Sequence, residues 1–301
     1  MLSFALTLML LWQRPVREAP LRDRIRQIVA ASGVDVAVAF QTVDGKATLL
    51  LNADTSFHAA STMKVPVMIE LFRQAAAGRL SLDEALPVRN EFHSIADGSV
   101  YTLDVKDDSD EEVYKAVGRT MTLRELCEAM ITVSSNLAAN LLIERLGVEN
   151  IQSTVTKLGA DGMKVLRGVE DQKAFEKGLN NTTTARGLLV LLERIAKGKA
   201  VGAKADGEMA EILKRQRELP DGIRAGVPPD VAVGHKTGNI TGILHDAAIV
   251  YGPRPYVLVV LVRGPEDDKK TAALMASISK EVWTYVQNTR ASAASSPADM
   301  K

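Results

Sequence analysis

The chain has 301 residues, 46% of them apolar and 25% charged, with 37 basic side chains set against 37 acidic ones, one cysteine and four histidines. That size and balance can bury a full core and exclude a disordered chain, and zero net charge withholds the electrostatic footprint of a phosphate-backbone partner, so no nucleic-acid partner is expected. A single Cys127 excludes an internal disulfide and a cysteine metal cluster, and His58, His93, His235 and His245 show no His-Glu-x-x-His spacing, so neither metal nor cofactor is expected.

In chain order, Leu2 to Trp12 is an apolar run too short to span a bilayer, followed by Arg14, Arg17, Arg22, Arg24 and Arg26. Residues 1–20 read as a signal-like or anchor segment, implying a periplasmic or secreted protein that meets membrane only through that segment. Leu21, Ile25, Ile28 and Val29 recur at helical spacing. Val34 to Val43 alternates in part like a strand, Asp44-Gly45 makes a hairpin turn, and Thr48 to Leu51 returns. Ser61 to Lys199 reads as helices with loops. Within it, Asp104 to Glu112 holds six acidic residues and one Lys without the EF-hand ligand pattern, and reads as a solvated loop. Thr122-Leu123-Arg124-Glu125 is a capping box opening a helix toward Ser134-Ser135-Asn136, and a second helix, Leu137 to Leu146, ends at Gly147.

Val231 to His235, Ala247 to Tyr251 and Tyr256 to Val262 are strand-like, split by Gly238, Gly242 and Gly252-Pro253, before an amphipathic helix from Thr271 to Val286 and an Ala/Ser-rich tail. Strands at both ends with helices between imply a mixed α/β (α+β) fold: an antiparallel sheet flanked by helices, with an all-helical domain inserted into it. Residues 21–60 and 205–288 form the sheet domain, 61–204 the helical domain with an Ω-like loop near 166–181, and 289–301 a disordered tail. No heptad or long exposed apolar edge is present, so a monomer is expected.

Chemistry concentrates at Ser61-Thr62-Met63-Lys64. Three-residue spacing at a helix start sets Ser61 and Lys64 on one side of the first turn. A serine hydroxyl needs a base, which a desolvated lysine with a lowered pKa supplies, and a helix N-terminus offers free N–H groups to an oxyanion. The spacing alone does not decide, because Ser277-Ile278-Ser279-Lys280 repeats it in the last helix. Ser134 and Asn136 fall at an interhelical corner. His235-Lys236-Thr237-Gly238 ends a strand, and alternation puts Lys236 and Thr237 on opposite faces, so both reach a cleft only along a strand edge.

Serine-x-x-lysine at Ser61, serine-x-asparagine 73 residues on, and lysine-threonine-glycine 102 further on form an ordered set. Thr122 to Cys127, the stretch Asn136-Leu137-Ala138-Ala139-Asn140-Leu141-Leu142, and Asn181-Thr182-Thr183-Thr184 extend it. On these residues the chain resembles the class A β-lactamase-type serine hydrolases of the β-lactamase and penicillin-binding protein superfamily, over Leu21 to Val286. The resemblance implies that Ser61 forms an acyl-enzyme with Lys64 as a base, that Ser134 relays a proton to the leaving nitrogen, and that Asn136 binds a substrate amide. It implies further that Lys236 and Thr237 of the Lys-Thr-Gly238 motif hold a substrate carboxylate, that the backbone N–H groups of Ser61 and Asn239 form the oxyanion hole, and that His245, where many relatives carry Arg, assists the carboxylate.

The sequence departs from the pattern in places. Glu170, in Arg167-Gly168-Val169-Glu170-Asp171, is the candidate base for deacylation, yet Ala174 stands where an Asn is usual, and counting back from the Thr run puts Gly168 at the base position. Ser135 replaces an Asp, removing a structural carboxylate. Met68 stands where some members pair the equivalent of Cys127, which therefore reads as a buried thiol. Pro66 is expected to bend the helix just behind Lys64. The leading expectation is hydrolysis of a small-molecule β-lactam. The alternatives are action on a peptidoglycan peptide as a D-Ala-D-Ala peptidase, another ester or amide hydrolysis, or a penicillin sensor without turnover.

Overall fold

The computed structural model describes residues 19–294; the apolar run Leu2 to Trp12 lies outside them. In chain order the helices are α1 (Ala19–Ser32), α2 (Lys64–Ala76), α3 (Leu123–Thr132), α4 (Asn136–Leu146), α5 (Val148–Leu158), α6 (Gln172–Glu176), α7 (Ala185–Ala196), α8 (Ala203–Lys214) and α9 (Asp268–Ala294). The strands are β1 (Asp35–Thr42), β2 (Thr48–Leu51), β3 (Phe57–His58), β4 (Ala85–Pro87), β5 (Phe92–His93), β6 (Val100–Tyr101), β7 (Thr120–Thr122), β8 (Thr182–Thr183), β9 (Val233–Ile240), β10 (Ile243–Val250) and β11 (Tyr256–Arg263).

One antiparallel sheet runs in the order β2-β1-β11-β10-β9, joining the two ends of the chain through Asp35↔Arg263 to Thr42↔Tyr256. Both faces are covered, which is why its central strands read as near-continuous apolar runs. In β11, Tyr256, Leu258, Val260 and Val262 face the cluster built with α1 and α9, whereas Val257, Val259 and Leu261 face the one shared with α2, α3, α4 and α7. The same alternation separates Val36, Val38 and Phe40 from Ala37 and Ala39 in β1. Each strand thus ties both layers together with a period of two.

Three expectations change here. The inserted region is not all-helical, because the pairs β4–β7 and β5–β6 lie within it and β8 pairs with β3. Gly238 does not end a strand, and β9 runs on to Ile240 before Gly242 takes the left-handed turn conformation at φ 71°. The tail expected from residue 289 is helical to Ala294, as part of α9. No helix among the described residues is long and apolar enough to cross a membrane.

Candidate active site

The strand β3 delivers the chain into a 3-10 turn, Ala60–Met63, from which α2 begins at Lys64. Ala60 sits at φ 44°, a left-handed conformation that costs a non-glycine residue on the order of 1 kcal/mol and is held by its surroundings. Its N–H donates to His58 Nδ1 at 3.1 Å, and Thr62 Oγ1 donates to Ala59 O at 2.6 Å. Pro66 falls in the first turn of α2, where its missing N–H is best tolerated, and the 3-10 segment Ala60–Met63 runs directly into that turn. On the other side β9 packs onto the turn. A Cβ on Gly238 would stand 3.1 Å from Ala60 Cβ and 3.2 Å from Ser61 N. Glycine is there for close approach to the serine backbone.

Lys64 is fully buried. Its Nζ lies 2.6 Å from Ser134 O and 2.7 Å from Asn136 Oδ1, and farther, at 3.1 and 3.3 Å, from Ser61 Oγ and Ser134 Oγ. A neutral amine has two hydrogens and one lone pair: the two short contacts take the hydrogens, which turns the lone pair toward the two serine hydroxyls. Burial is the main cause that lowers the Lys64 pKa to about 8, opposed by the carboxylates of Asp108, Glu170 and Glu218. Ser134, at φ 61° between α3 and α4, also receives Lys236 Nζ at 2.9 Å. Lys236 is likewise fully buried, and burial together with Lys64 holds its pKa well below the usual value. It reaches Ser134 from β9, the edge strand, as the strand-edge argument requires.

Asn136 also joins Glu170: its Oδ1 accepts from Lys64 while its Nδ2 donates to Glu170 Oε1 at 2.6 Å. Glu170 has φ 61°, and burial, offset by the Asn136 bond, raises its pKa. Ser61, Asn136, Glu170 and Asn239 line one cleft of about 690 Å³. Gly168 has no side chain to act as a base and packs against Asn140, where a Cβ would come 2.6 Å from Oδ1, whereas Glu170 lines the cleft. Ala174 is buried in α6. The loop is held from below by residues to which the sequence reading gave no role. Asn140 bonds Val169 through both N–H and C=O, Asn181 Oδ1 accepts from Leu166 N and Arg167 N, and Asp171 caps α6 while accepting from Ser94 Oγ and Ile95 N.

Residues 20–286 match the family model described as the beta-lactamase enzyme family. The chain belongs to that β-lactamase enzyme family. It is similar to the carbapenem-hydrolyzing β-lactamase KPC of Klebsiella oxytoca, 32% identical over 176 residues that make up 56% of this chain and 59% of that one, so the match spans less than two thirds of that relative. It is similar to β-lactamase AST-1 of Nocardia asteroides, 30% identical over 266 residues, 86% and 81% of the two chains. Among solved structures it resembles PBP-A with a TM-score of 0.78 at 26% identity, covering 91% of this chain and 98% of that one, and a mutant of PBP-A has been solved as an acyl-enzyme complex with penicillin G.

Within this β-lactamase-family site, two expectations fail. His245 does not reach a substrate carboxylate. It is fully buried, with Nε2 at 2.9 Å from His58 O and Nδ1 receiving Val262 N at 3.2 Å. Burial lowers its pKa to about 4, so the ring stays neutral and braces the segment ahead of Ser61. Nor is the acidic run simply a solvated loop. Asp108 accepts from the N–H groups of Asn136 and Leu137, and Asp110, buried, accepts from Glu112 N and Val113 N. A carboxylate therefore lies at the start of α4 although position 135 is Ser, which caps the helix through Ala138 N.

The buried-thiol reading holds. Cys127 is a free buried thiol, pushed by burial up to about 12. Ser277 Oγ turns back to Ala273 O on an exposed face of α9, so its hydroxyl is not held by a buried lysine as those of Ser61 and Ser134 are. Thr237 is buried beside Lys236, and Asn239 is exposed at the cleft with Nδ2 donating to Asp268 Oδ2.

Proposed function

We propose that this protein is a serine hydrolase that opens the amide bond of β-lactams through an acyl-enzyme on Ser61. The observation that carries the reading is the pairing of two buried lysines with two serine hydroxyls, Lys64 at 3.1 Å from Ser61 Oγ and Lys236 at 2.9 Å from Ser134 Oγ, with Glu170 on the same Asn136. Neutral Lys64 takes the Ser61 proton as Oγ attacks the lactam carbonyl. The oxyanion develops against the backbone N–H groups of Ser61 and Asn239, at the start of the helical turn and the end of β9. Ser134 gives its proton to the departing ring nitrogen and is resupplied from Lys64. Lys236 keeps Ser134 oriented and, with Thr237, offers charge-assisted bonds to the carboxylate that such substrates carry.

Glu170 then draws a proton from a water that attacks the ester carbonyl, and Ser61 leaves with a proton returned. Burial raises the Glu170 pKa and so strengthens its carboxylate as a base toward that water, while the Asn136 amide holds it in place. The apolar segment Leu2 to Trp12 supports export to the periplasm or beyond, where such substrates are met. The test is purified protein with a chromogenic cephalosporin and a fluorescent penicillin, beside Ser61→Ala. Sustained Ser61-dependent turnover is expected. A stoichiometric, lasting label without turnover would make the protein a peptidase-like acyl-enzyme former or a sensor, and absence of any label would remove the lactam reading.

A further inference from the structure

The residue that couples the two half-reactions is Asn136, whose amide spans Lys64 and Glu170 with bonds of 2.7 and 2.6 Å. A side-chain amide makes two such bonds at once only if its own backbone is fixed, and Asn136 is the first residue of α4, following Ser134 in its left-handed conformation. Helix starts leave N–H groups without helical partners. Here both oxygens of one carboxylate, Asp108, meet the N–H of Asn136 at 2.9 Å, and Oδ2 also meets the N–H of Leu137 at 3.0 Å. The carboxylate is steadied in turn by Tyr114, whose hydroxyl donates to Oδ2 at 3.1 Å.

We propose that Asp108 is a positioning residue for both acylation and deacylation, gripping the backbone of Asn136 so that its side chain holds Lys64 and Glu170 together. This rests on the acyl-enzyme reading above. The carboxylate comes from a loop outside the three motifs. It belongs to the helix start for a physical reason: a negative charge at the first N–H groups of α4 is favoured by the helix dipole and makes charge-assisted bonds there.

The position also gives Asp108 an electrostatic signature. Lys64 is faced by Asp108 from the acidic loop, Glu170 from the loop before α6, Glu218 from the segment after α8, and Lys236 from β9; Asp108 is the largest of the charges that keep Lys64 protonated. Asp108 and Asp107 also help raise Glu170. On its own loop, Asp108 neighbours Asp107, and Asp104 lies near Tyr114. Neutralising Asp108 therefore lowers the pKa of Lys64 and of Glu170 together, which a plain packing residue would not do.

The experiment follows formation and loss of the fluorescent-penicillin adduct by full-length wild-type protein, Ser61→Ala, Asp108→Asn and Asp108→Ser across pH 5 to 10, with thermal unfolding of each. In Asp108→Asn, a fall of about tenfold or more in the plateau acylation rate is expected from lost alignment. The acidic limb should also move to lower pH, with melting temperature little changed because a neutral oxygen acceptor remains. Asp108→Ser, smaller and also neutral, should show the same displaced limb and serves if Asp108→Asn is insoluble. Placing the charge at the helix cap instead, in Asp108→Asn with Ser135→Asp, should return the limb toward its wild-type position. If wild type takes no Ser61-dependent label, the acyl-enzyme reading fails. If wild type labels but a soluble Asp108 variant labels at the same plateau with an unmoved limb, or loses rate only in proportion to lost folded protein, the role assigned to Asp108 fails alone.

Discussion

If Lys64 is the base of acylation, the acylation rate must follow its neutral fraction. With a pKa of about 8, roughly one molecule in ten carries neutral Lys64 at pH 7 and about nine in ten at pH 9, so the rate should rise about tenfold between them. The measurement is the single-turnover rate of Ser61 labelling by a fluorescent penicillin at saturating concentration. Saturation matters because the pKa of Lys236 is also lowered by burial, and any effect of its charge on carboxylate binding appears in the half-saturating concentration and not in the plateau. Acylation that did not depend on the neutral form of Lys64 would lack this rise. A flat or falling plateau would refute Lys64 as the base.

Other consequences follow from the same geometry. Glu170→Gln should slow deacylation by about a hundredfold or more while acylation persists, so intact-mass spectrometry should show a lasting adduct; unchanged turnover would show that Glu170 is not the base. Gly238→Ala places a methyl 3.1 Å from Ala60 Cβ and 3.2 Å from Ser61 N, and should cost about 1–3 kcal/mol in urea unfolding with a larger proportional loss of acylation. His245 has a folded pKa of about 4 against 6.5 in the unfolded chain, so its contribution to stability is full above pH 6.5 and is lost as pH falls toward 4, about 3 kcal/mol in all; the urea midpoint of His245→Gln should fall less steeply over that window than that of wild type. Cys127, buried and pushed up to about 12, should resist a thiol-reactive dye in the folded state and react once urea unfolds the chain.

The sheet was legible where pattern is local. Thr48–Leu51 forms β2 as read, the hairpin at Asp44-Gly45 turns as its residues require, and Thr122 to Glu125 makes a capping box. Gly238 misled because a glycine inside a strand signals either an end or a close neighbour, and that neighbour is the Ser61 turn, 177 residues earlier in the chain. The acidic run misled because charge composition says nothing of whether a helix start lies against it.

By itself the sequence determined the local half of the site. A spacing of three at a helix start places Ser61 beside Lys64, and a break between helices presents Ser134 and Asn136, because these are properties of a few consecutive residues. Tertiary structure decided everything that needs distant segments to meet: Lys236 against Ser134, Glu170 and not Gly168 at the cleft, His245 buried behind the nucleophile turn, and Asp108 at the start of α4. It also separated Ser61 from Ser277, whose identical spacing lies on an exposed face of α9. The reason is the depth of desolvation: a lysine becomes a base only when the fold removes it from water, and burial is set by the layers packed around it, which no short motif contains.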